Sequence, residues 1–484
     1  MNNKIYKIDN PTDEFIKVKH RGKIYTPDYL VSDILNQGHY VKDKINKKHV
    51  IDNSCGDGQF LIQIIDRYCK DYLSKNTNIK ELKKELETYI HGIEIDDNEL
   101  NICVKRCNEV AKLYGVKNVK WDFIHNDTMK ISKYNNKMDF VLGNPPYVRV
   151  HNLNDNFNSV KNRKFSNGGM TDLFIVFYEI GIEMLNRSGI LCYITPSSFF
   201  TSLAGNSLRN YLIANKCFES VCDLKHFQPF NAITYTTIVC INKKHNSNNI
   251  KYYIFDEKGL KQKFVESLNI NTCNINGSFY FSNNKNLALL KNILENNKKC
   301  KIEIKNGYAT LCDKVFVNDF DFDSKFIISV IKGSRGKWTK IIYPYDENGK
   351  LYSEAELKKD KKVYKHLLNN KSLLLKKDNE KGNEYWYAFG RSQAINDTYS
   401  NKLSINTLIK DANDLKIFDV PSGSGVYSGL YILCNGINPK KIRSALVSND
   451  FSIYISLLGK YKSGGYYTFS TKDIKAYLDY KLGR

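Results

Sequence analysis

Asn144-Pro145-Pro146-Tyr147 places one side-chain amide, one backbone carbonyl and one aromatic ring close together along the chain. Two acceptors and a π-face suit a planar amine, with one acceptor for each hydrogen and a ring to stack on. The tetrapeptide follows the apolar run Met138-Asp139-Phe140-Val141-Leu142-Gly143, which reads as a buried strand. Two successive prolines cannot continue a ladder, because each lacks an N–H and holds φ near about −65°. The chain must therefore leave the sheet at Asn144 as a stiff, extended turn. Taken alone, the same four residues serve equally well as a plain strand-ending turn, so their surroundings decide.

Those surroundings repeat a strand–helix rhythm up to about residue 243. Lys48–Asp52 reads as a strand and Gln59–Leu73 as a helix. A strand over Tyr89–Glu94 precedes a helix near Glu99–Tyr114. After the strand before Asn144 come a helix at Asp172–Leu185, a strand at Gly189–Ile194 and a closing strand at Tyr235–Ile241. Such alternation predicts a doubly wound, mostly parallel α/β sheet. The polar run 243–249 then reads as a linker to a second domain.

Three strand ends in this sheet carry ligand-binding chemistry. The first leads into Asp52-Asn53-Ser54-Cys55-Gly56-Asp57-Gly58, where glycines let a ligand approach the backbone at a helix start. The spacing is not G-x-G-x-x-G, so the dinucleotide fingerprint is absent. The second strand ends at Glu94, a carboxylate suited to vicinal ribose hydroxyls. The third leads to Asn126-Asp127-Thr128, which suits an adenine amine. Each has an ordinary structural reading as a tight turn or a helix start. Three of them on the same sheet edge as Asn144 define a binding crevice.

With Tyr25-Thr26-Pro27 ahead of them, these motifs resemble the S-adenosylmethionine-dependent DNA adenine-N6 methyltransferases, specifically the gamma class. The resemblance covers about residues 20–245. It continues more loosely through residues 307–310, Trp386–Gln393 and Gly464–Tyr467. It implies a Rossmann-like methyltransferase domain at 1–245 and an α+β DNA-recognition domain at 246–484. S-adenosylmethionine would be held by Thr26, Asp52, Ser54, Cys55, Gly56, Gly58, Glu94, Asp127 and Thr128. Asn144, Pro145 and Tyr147 would act on the amine, and Phe230 would be a second aromatic lining the target pocket. Asn53 stands where related enzymes often carry proline. No metal is expected.

The chain has 484 residues, 42% of them hydrophobic, and a net charge of +22. The charge is uneven. Residues 1–250 hold 34 Lys and Arg against 27 Asp and Glu, whereas residues 251–484 hold 39 against 24. A basic second half suits a polyanion, although AT-rich coding also raises lysine content. Lys332–Trp338 offers Arg335, Lys337 and Trp338 to phosphates, and Trp386–Gln393 offers Arg391 and Gln393 to base edges. Double-stranded DNA is the expected partner and a monomer the expected state. With the first motif near residue 21, an endonuclease is expected on a separate chain or not at all.

The alternatives are an RNA or protein (glutamine) methyltransferase, a cytosine-N4 methyltransferase and a DNA-binding module without catalysis. Twelve cysteines without zinc-site spacing read as reduced thiols. No signal core or membrane span is evident, so a cytoplasmic, nucleoid-associated location is expected.

Overall fold

The computed structural model describes residues 25–148, 160–166, 171–230 and 234–483. It divides into two compact units, Met1–Leu287 and Ala288–Arg484.

The first unit is built on nine strands. These are β1 (Val50–Asp52), β2 (Ile90–Glu94), β3 (Asp122–His125), β4 (Met138–Gly143) and β5 (Leu185–Pro196), then β6 (Phe218–Asp223), β7 (Thr236–Asn242), β8 (Asn249–Asp256) and β9 (Lys261–Asn269). Their order is β3-β2-β1-β4-β5-β7-β6-β8-β9. β1 to β5 are mutually parallel, and β7 runs antiparallel to both β5 and β6. The chain winds outward from β1 to β3 and then restarts at β4 beside β1. That reversal opens a crevice beyond the C-terminal ends of β1 and β4.

Alternation along the strands sorts the core into two layers, one on each face. On β4, Val141 joins Ile51, Ile93 and Tyr193 on one face, whereas Phe140 and Leu142 join Val50, Cys192 and Ile194 on the other. The helices α1 (Asp28–Gln37) and α2 (Gln59–Leu73) pack their buried stripes against the second layer. A third helix, α3 (Ile79–Tyr89), and a fourth, α4 (Asp97–Leu113), connect β1 through β2 to β3. On the opposite face lies α5 (Leu173–Met184), buried almost all round.

The domain boundary is a correction to the expectation. Residues 243–249 are not a linker but a turn whose amides belong to the sheet. Lys243 N donates to Gly189 O at 3.1 Å and Ser247 N to Lys216 O at 3.2 Å. Past that turn, β8 pairs in parallel with β6, and β9 closes the edge antiparallel to β8. The first unit therefore runs to Leu287, well beyond residue 245. Half-buried edge strands carry less apolar sequence than the central strands, so polar composition mimics a break.

The second unit is α+β. Glu303–Asn306, Leu430–Leu433, Lys402–Ile405 and Ile417–Val420 form an antiparallel sheet. Ile327–Lys332 and Lys337–Ile342 form a hairpin within a second, mixed sheet. No helix among the described residues is long and apolar enough to cross a membrane.

Candidate active site

A cavity of about 640 Å³ lies at the C-terminal ends of β1 to β4. Its position follows from the strand order, because the turns after these four strands converge where the winding reverses. Thr26, Asp52, Ser54, Cys55, Gly56 and Glu94 line it, as do Asp127, Thr128 and Asn144. Gly58 does not. It sits at φ +90° as the left-handed residue before α2, and a Cβ there would meet Cys103 Sγ at 2.8 Å. Glycine is needed at 58 to start the helix, and the ligand contact falls to its neighbours.

Each turn is fixed by its own hydrogen bonds. Glu94 Oε2 accepts from Gly56 N at 2.9 Å, while Oε1 accepts from Ile95 N at 3.0 Å and Asp96 N at 2.9 Å. This carboxylate therefore ties the β2 end to the glycine turn after β1. Asp127 Oδ1 accepts from Met129 N at 2.9 Å, and the Thr128 hydroxyl donates to Asn53 O at 2.6 Å. The Asn53 side chain, at the position where related enzymes often carry proline, accepts from the Tyr193 hydroxyl at 2.9 Å and is fully buried. Cys55 is buried, and its N–H donates to Ile93 O at 3.0 Å.

Asp52 lies beneath the cavity, 1% exposed, and its Oδ1 accepts from Ser54 N at 3.1 Å. Burial pushes its carboxyl well above the ordinary range. A Cβ on Gly143 would sit 2.7 Å from that same oxygen, so only glycine leaves room for the carboxyl beside β4.

Asn144 is held at both ends. Its Nδ2 donates to the Thr26 hydroxyl at 3.1 Å, and its backbone carbonyl accepts from the Ser54 hydroxyl at 3.3 Å. Its Oδ1 is buried and has no hydrogen-bond partner among the described residues. Pro145 is buried, and Pro146 lines the cavity. Tyr147 is half-buried and donates through its hydroxyl to Ile194 O at 3.1 Å. Its ring meets Phe230 edge-on at 6.3 Å and 74°, and Phe174 at 6.4 Å and 76°. The structure thus brings Tyr147 and Phe230 together, although neither lines the cavity itself.

Sequence reasoning misses the apolar walls. Ile95, Met129, Leu173 and Phe177 line the cavity. Ile95 directly follows Glu94 and is 62% exposed, which only the structure reveals; in sequence its position at the strand end is the available signal. Leu173 and Phe177 give no such signal, because α5 is apolar on every side and its periodicity points nowhere.

Seven lining residues are carboxylic acids, Asp52, Asp57, Glu94, Asp96, Asp97, Glu99 and Asp127, and no described lining residue is Lys or Arg. In a chain of net charge +22, this acidic lining favours a cationic ligand. A separate group, His39, Glu219 and Cys240, brings three metal-capable atoms within 4.8 Å of one another. Asn242 Nδ2 and Lys251 Nζ already serve the Glu219 carboxylate, at 2.8 and 3.5 Å. All twelve cysteines are free thiols.

In the second unit, Arg335 stands at the tip of the Ile327–Lys332/Lys337–Ile342 hairpin, and Lys337 and Trp338 are exposed on its return strand. The aromatics of Trp386–Phe389 are buried in an irregular segment. Arg391 is ion-paired with Asp378, and Gln393 donates to Gly307 O.

Fold and crevice together define a class: a doubly wound α/β domain with an acidic, apolar-walled cavity at its switch point. Residues 40–230 match the Eco57I restriction-modification methylase family. It is 24% identical over 571 aligned residues to the Type II restriction enzyme and methyltransferase RM.Eco57I of Escherichia coli, covering 96% of this chain and 57% of that protein. It is 26% identical over 280 residues to the Type II methyltransferase M.BstVI of Geobacillus stearothermophilus, covering 54% and 48%. The chain thus spans about half the length of these two relatives. In fold it is similar to the Type IIL restriction-modification enzyme MmeI, solved in complex with DNA, with a TM-score of 0.60 at 13% identity over 95% of this chain and 64% of that one.

Proposed function

We propose that this chain transfers a methyl group from S-adenosylmethionine to N6 of a flipped-out adenine in double-stranded DNA, as the modification activity of a restriction-modification system. The observation that carries the reading is the buried, unpartnered Oδ1 of Asn144 beside an acidic cavity. An orphaned buried acceptor costs about 1–3 kcal/mol, so its persistence favours a substrate donor in that place.

The residues present fit the cofactor. It carries a net positive charge, matching the seven lining carboxyls. Asp52 suits its ammonium, Glu94 the ribose diol and Asp127 the adenine amine, with Ile95, Met129, Leu173 and Phe177 as apolar walls. Thr26 and the Ser54–Gly56 backbone would hold its methionine end, with Cys55 and Thr128 shaping the wall and Gly58 the helix start. When bound, it supplies a methyl group on sulfonium sulfur, which departs as a neutral thioether.

The protein's part is to prepare the amine. The lone pair of an adenine amine is delocalised into the ring, which makes it a weak nucleophile. Asn144 Oδ1 and the Pro145 carbonyl accept its two hydrogens, favouring a tetrahedral nitrogen with a localised pair. Both contacts strengthen toward the transition state, so they lower the barrier rather than merely bind. A neutral amide cannot keep a proton, so the one shed by the alkylated nitrogen passes on to water. Flipping the base costs a few kcal/mol, and stacking on Tyr147 with packing against Phe230 returns about 1–3 kcal/mol per ring.

Residues beyond the first unit are proposed to recognise DNA. Arg335, Lys337 and Trp338 suit phosphate contacts at an exposed hairpin. Arg391 and Gln393 would first have to leave Asp378 and Gly307 to read bases. The test is modification-sensitive sequencing of DNA from a host expressing this chain alone. N6-methyladenine in one short motif is expected. N4-methylcytosine, or methylated RNA or glutamine with unmarked DNA, overturns the proposal.

A further inference from the structure

An asparagine amide has two orientations that differ by half a turn, and only one presents an acceptor to an amine. The other presents a second NH₂ group, which repels it. Nothing within Asn144-Pro145-Pro146-Tyr147 chooses between them. The structure sets Nδ2 toward a hydroxyl from one distant segment, and a hydroxyl from another steadies the backbone that carries the amide. Thr26 Oγ1 accepts from Asn144 Nδ2 at 3.1 Å across 118 residues, and Ser54 Oγ donates to the Asn144 carbonyl at 3.3 Å across 90 residues. One anchors the side chain and the other the backbone, so the residue is restrained at both ends of χ1 and χ2.

We infer that Thr26 and Ser54 are positioning residues for the amine-accepting amide, beyond any contact they make with a cofactor. The inference rests on the proposed role of Asn144. Thr26 is 3% exposed and Ser54 half-buried, so solvent competes little for the Thr26 bond and more for the Ser54 bond. With Nδ2 committed to Thr26, Oδ1 is the atom left without a partner. Thr26 lies just before α1, whose first-turn amides of Leu30 and Val31 donate to Pro27 O at 3.0 and 3.1 Å. The hydroxyl is thereby mounted at a helix start rather than on a free loop. Ser54 is fixed by its N–H bond to Asp52 at 3.1 Å. Two rigid mounts on one amide achieve the orientational control that catalysis by positioning demands.

The test compares Thr26→Val, Thr26→Ser, Ser54→Ala and Asn144→Ala in the full chain with its DNA. Single-turnover methyl transfer, affinity for S-adenosylhomocysteine by calorimetry and 2-aminopurine fluorescence at the target base are read on each. Thr26→Val should lose at least about tenfold in transfer rate at saturating cofactor, a loss several-fold larger than its loss of S-adenosylhomocysteine affinity, with base flipping preserved. Thr26→Ser should restore the rate to within about threefold. Ser54→Ala should lose several-fold in rate, again without a matching loss of affinity. A Thr26→Val protein with wild-type rate, one whose rate loss equals its affinity loss, or a serine variant that fails to rescue overturns the inference. Near-normal transfer by Asn144→Ala instead overturns the underlying role of Asn144, whatever the Thr26 variants do.

Discussion

The two ends of the same parallel strands contrast sharply in how their polar groups are satisfied. At the N-terminal ends of β1 to β3, His49 Nδ1 meets His91 Nε2 at 2.9 Å, His91 Nδ1 meets Asp122 Oδ2 at 2.8 Å, and Lys133 Nζ reaches Asp122 Oδ1 at 2.6 Å. Every member of that network has a partner. At the C-terminal ends, Asn144 Oδ1 has none and Asp52 is buried with its carboxyl pushed toward neutrality. One end is a closed network that holds strands in register. The other keeps acceptors in waiting, at a cost to the free protein. At Asn144 the orphaned acceptor lies on the side that borders the cavity.

Breaking the open end at its centre should give the largest effect. Asn144→Ala is expected to lower single-turnover methyl transfer by about 10²–10³-fold, the scale for losing one transition-state hydrogen bond. Its thermal midpoint should fall only slightly, because the change removes an orphaned oxygen along with the single side-chain bond from Nδ2 to Thr26. A large fall in melting temperature would show that Asn144 is structural instead.

The closed end should respond in the opposite sense. Asp122→Asn weakens charge-assisted bonds to His91 and Lys133, and about 1.5–3 kcal/mol of stability should go with them. These partners, His91 foremost, hold the Asp122 carboxyl well below the usual range. A depressed folded-state pKa stabilises above the unfolded carboxylate value of about 3.9 and is lost as pH falls through the folded value. Denaturant titrations should therefore show a gap between wild type and the Asp122→Asn variant at neutral pH and its loss in acid. Affinity for the cofactor should be unchanged.

The smallest expected effect sharpens the comparison by reversing its sign. Asp52→Asn should stabilise the free protein by on the order of 1 kcal/mol at neutral pH while weakening cofactor affinity about tenfold. Here burial raises the folded pKa, so stability is fully present below the unfolded value and declines as pH rises. The advantage of the variant should grow as pH rises above the unfolded carboxylate value of about 3.9. Cofactor affinity of the wild type should rise with pH as the carboxyl ionises. A variant that melts lower at neutral pH would remove Asp52 from the set of residues kept strained for a ligand.

Much of the first unit is legible from periodicity. The helix Gln59–Leu73 and the strand Met138–Gly143 lie where the sequence predicts them. Central parallel strands are buried on both faces, so they announce themselves as apolar runs between turns. Edge strands do not, and for that reason the pattern assigns β8 and β9 to a second domain although they belong to the first sheet. Among site residues, the polar ones stand out by type at strand ends, whereas Leu173 and Phe177 are hidden in a helix with no polar face.

The sequence alone determined that a stiff turn bearing an amide must follow β4, because two prolines admit no other continuation. It also determined which strand ends carry carboxyls, since those residues sit next to the strands that aim them. Only the tertiary structure decided which way the Asn144 amide faces. The amide meets a hydroxyl 118 residues away and its backbone carbonyl one 90 residues away, both brought beside it by the winding of the sheet, and no local pattern encodes such contacts.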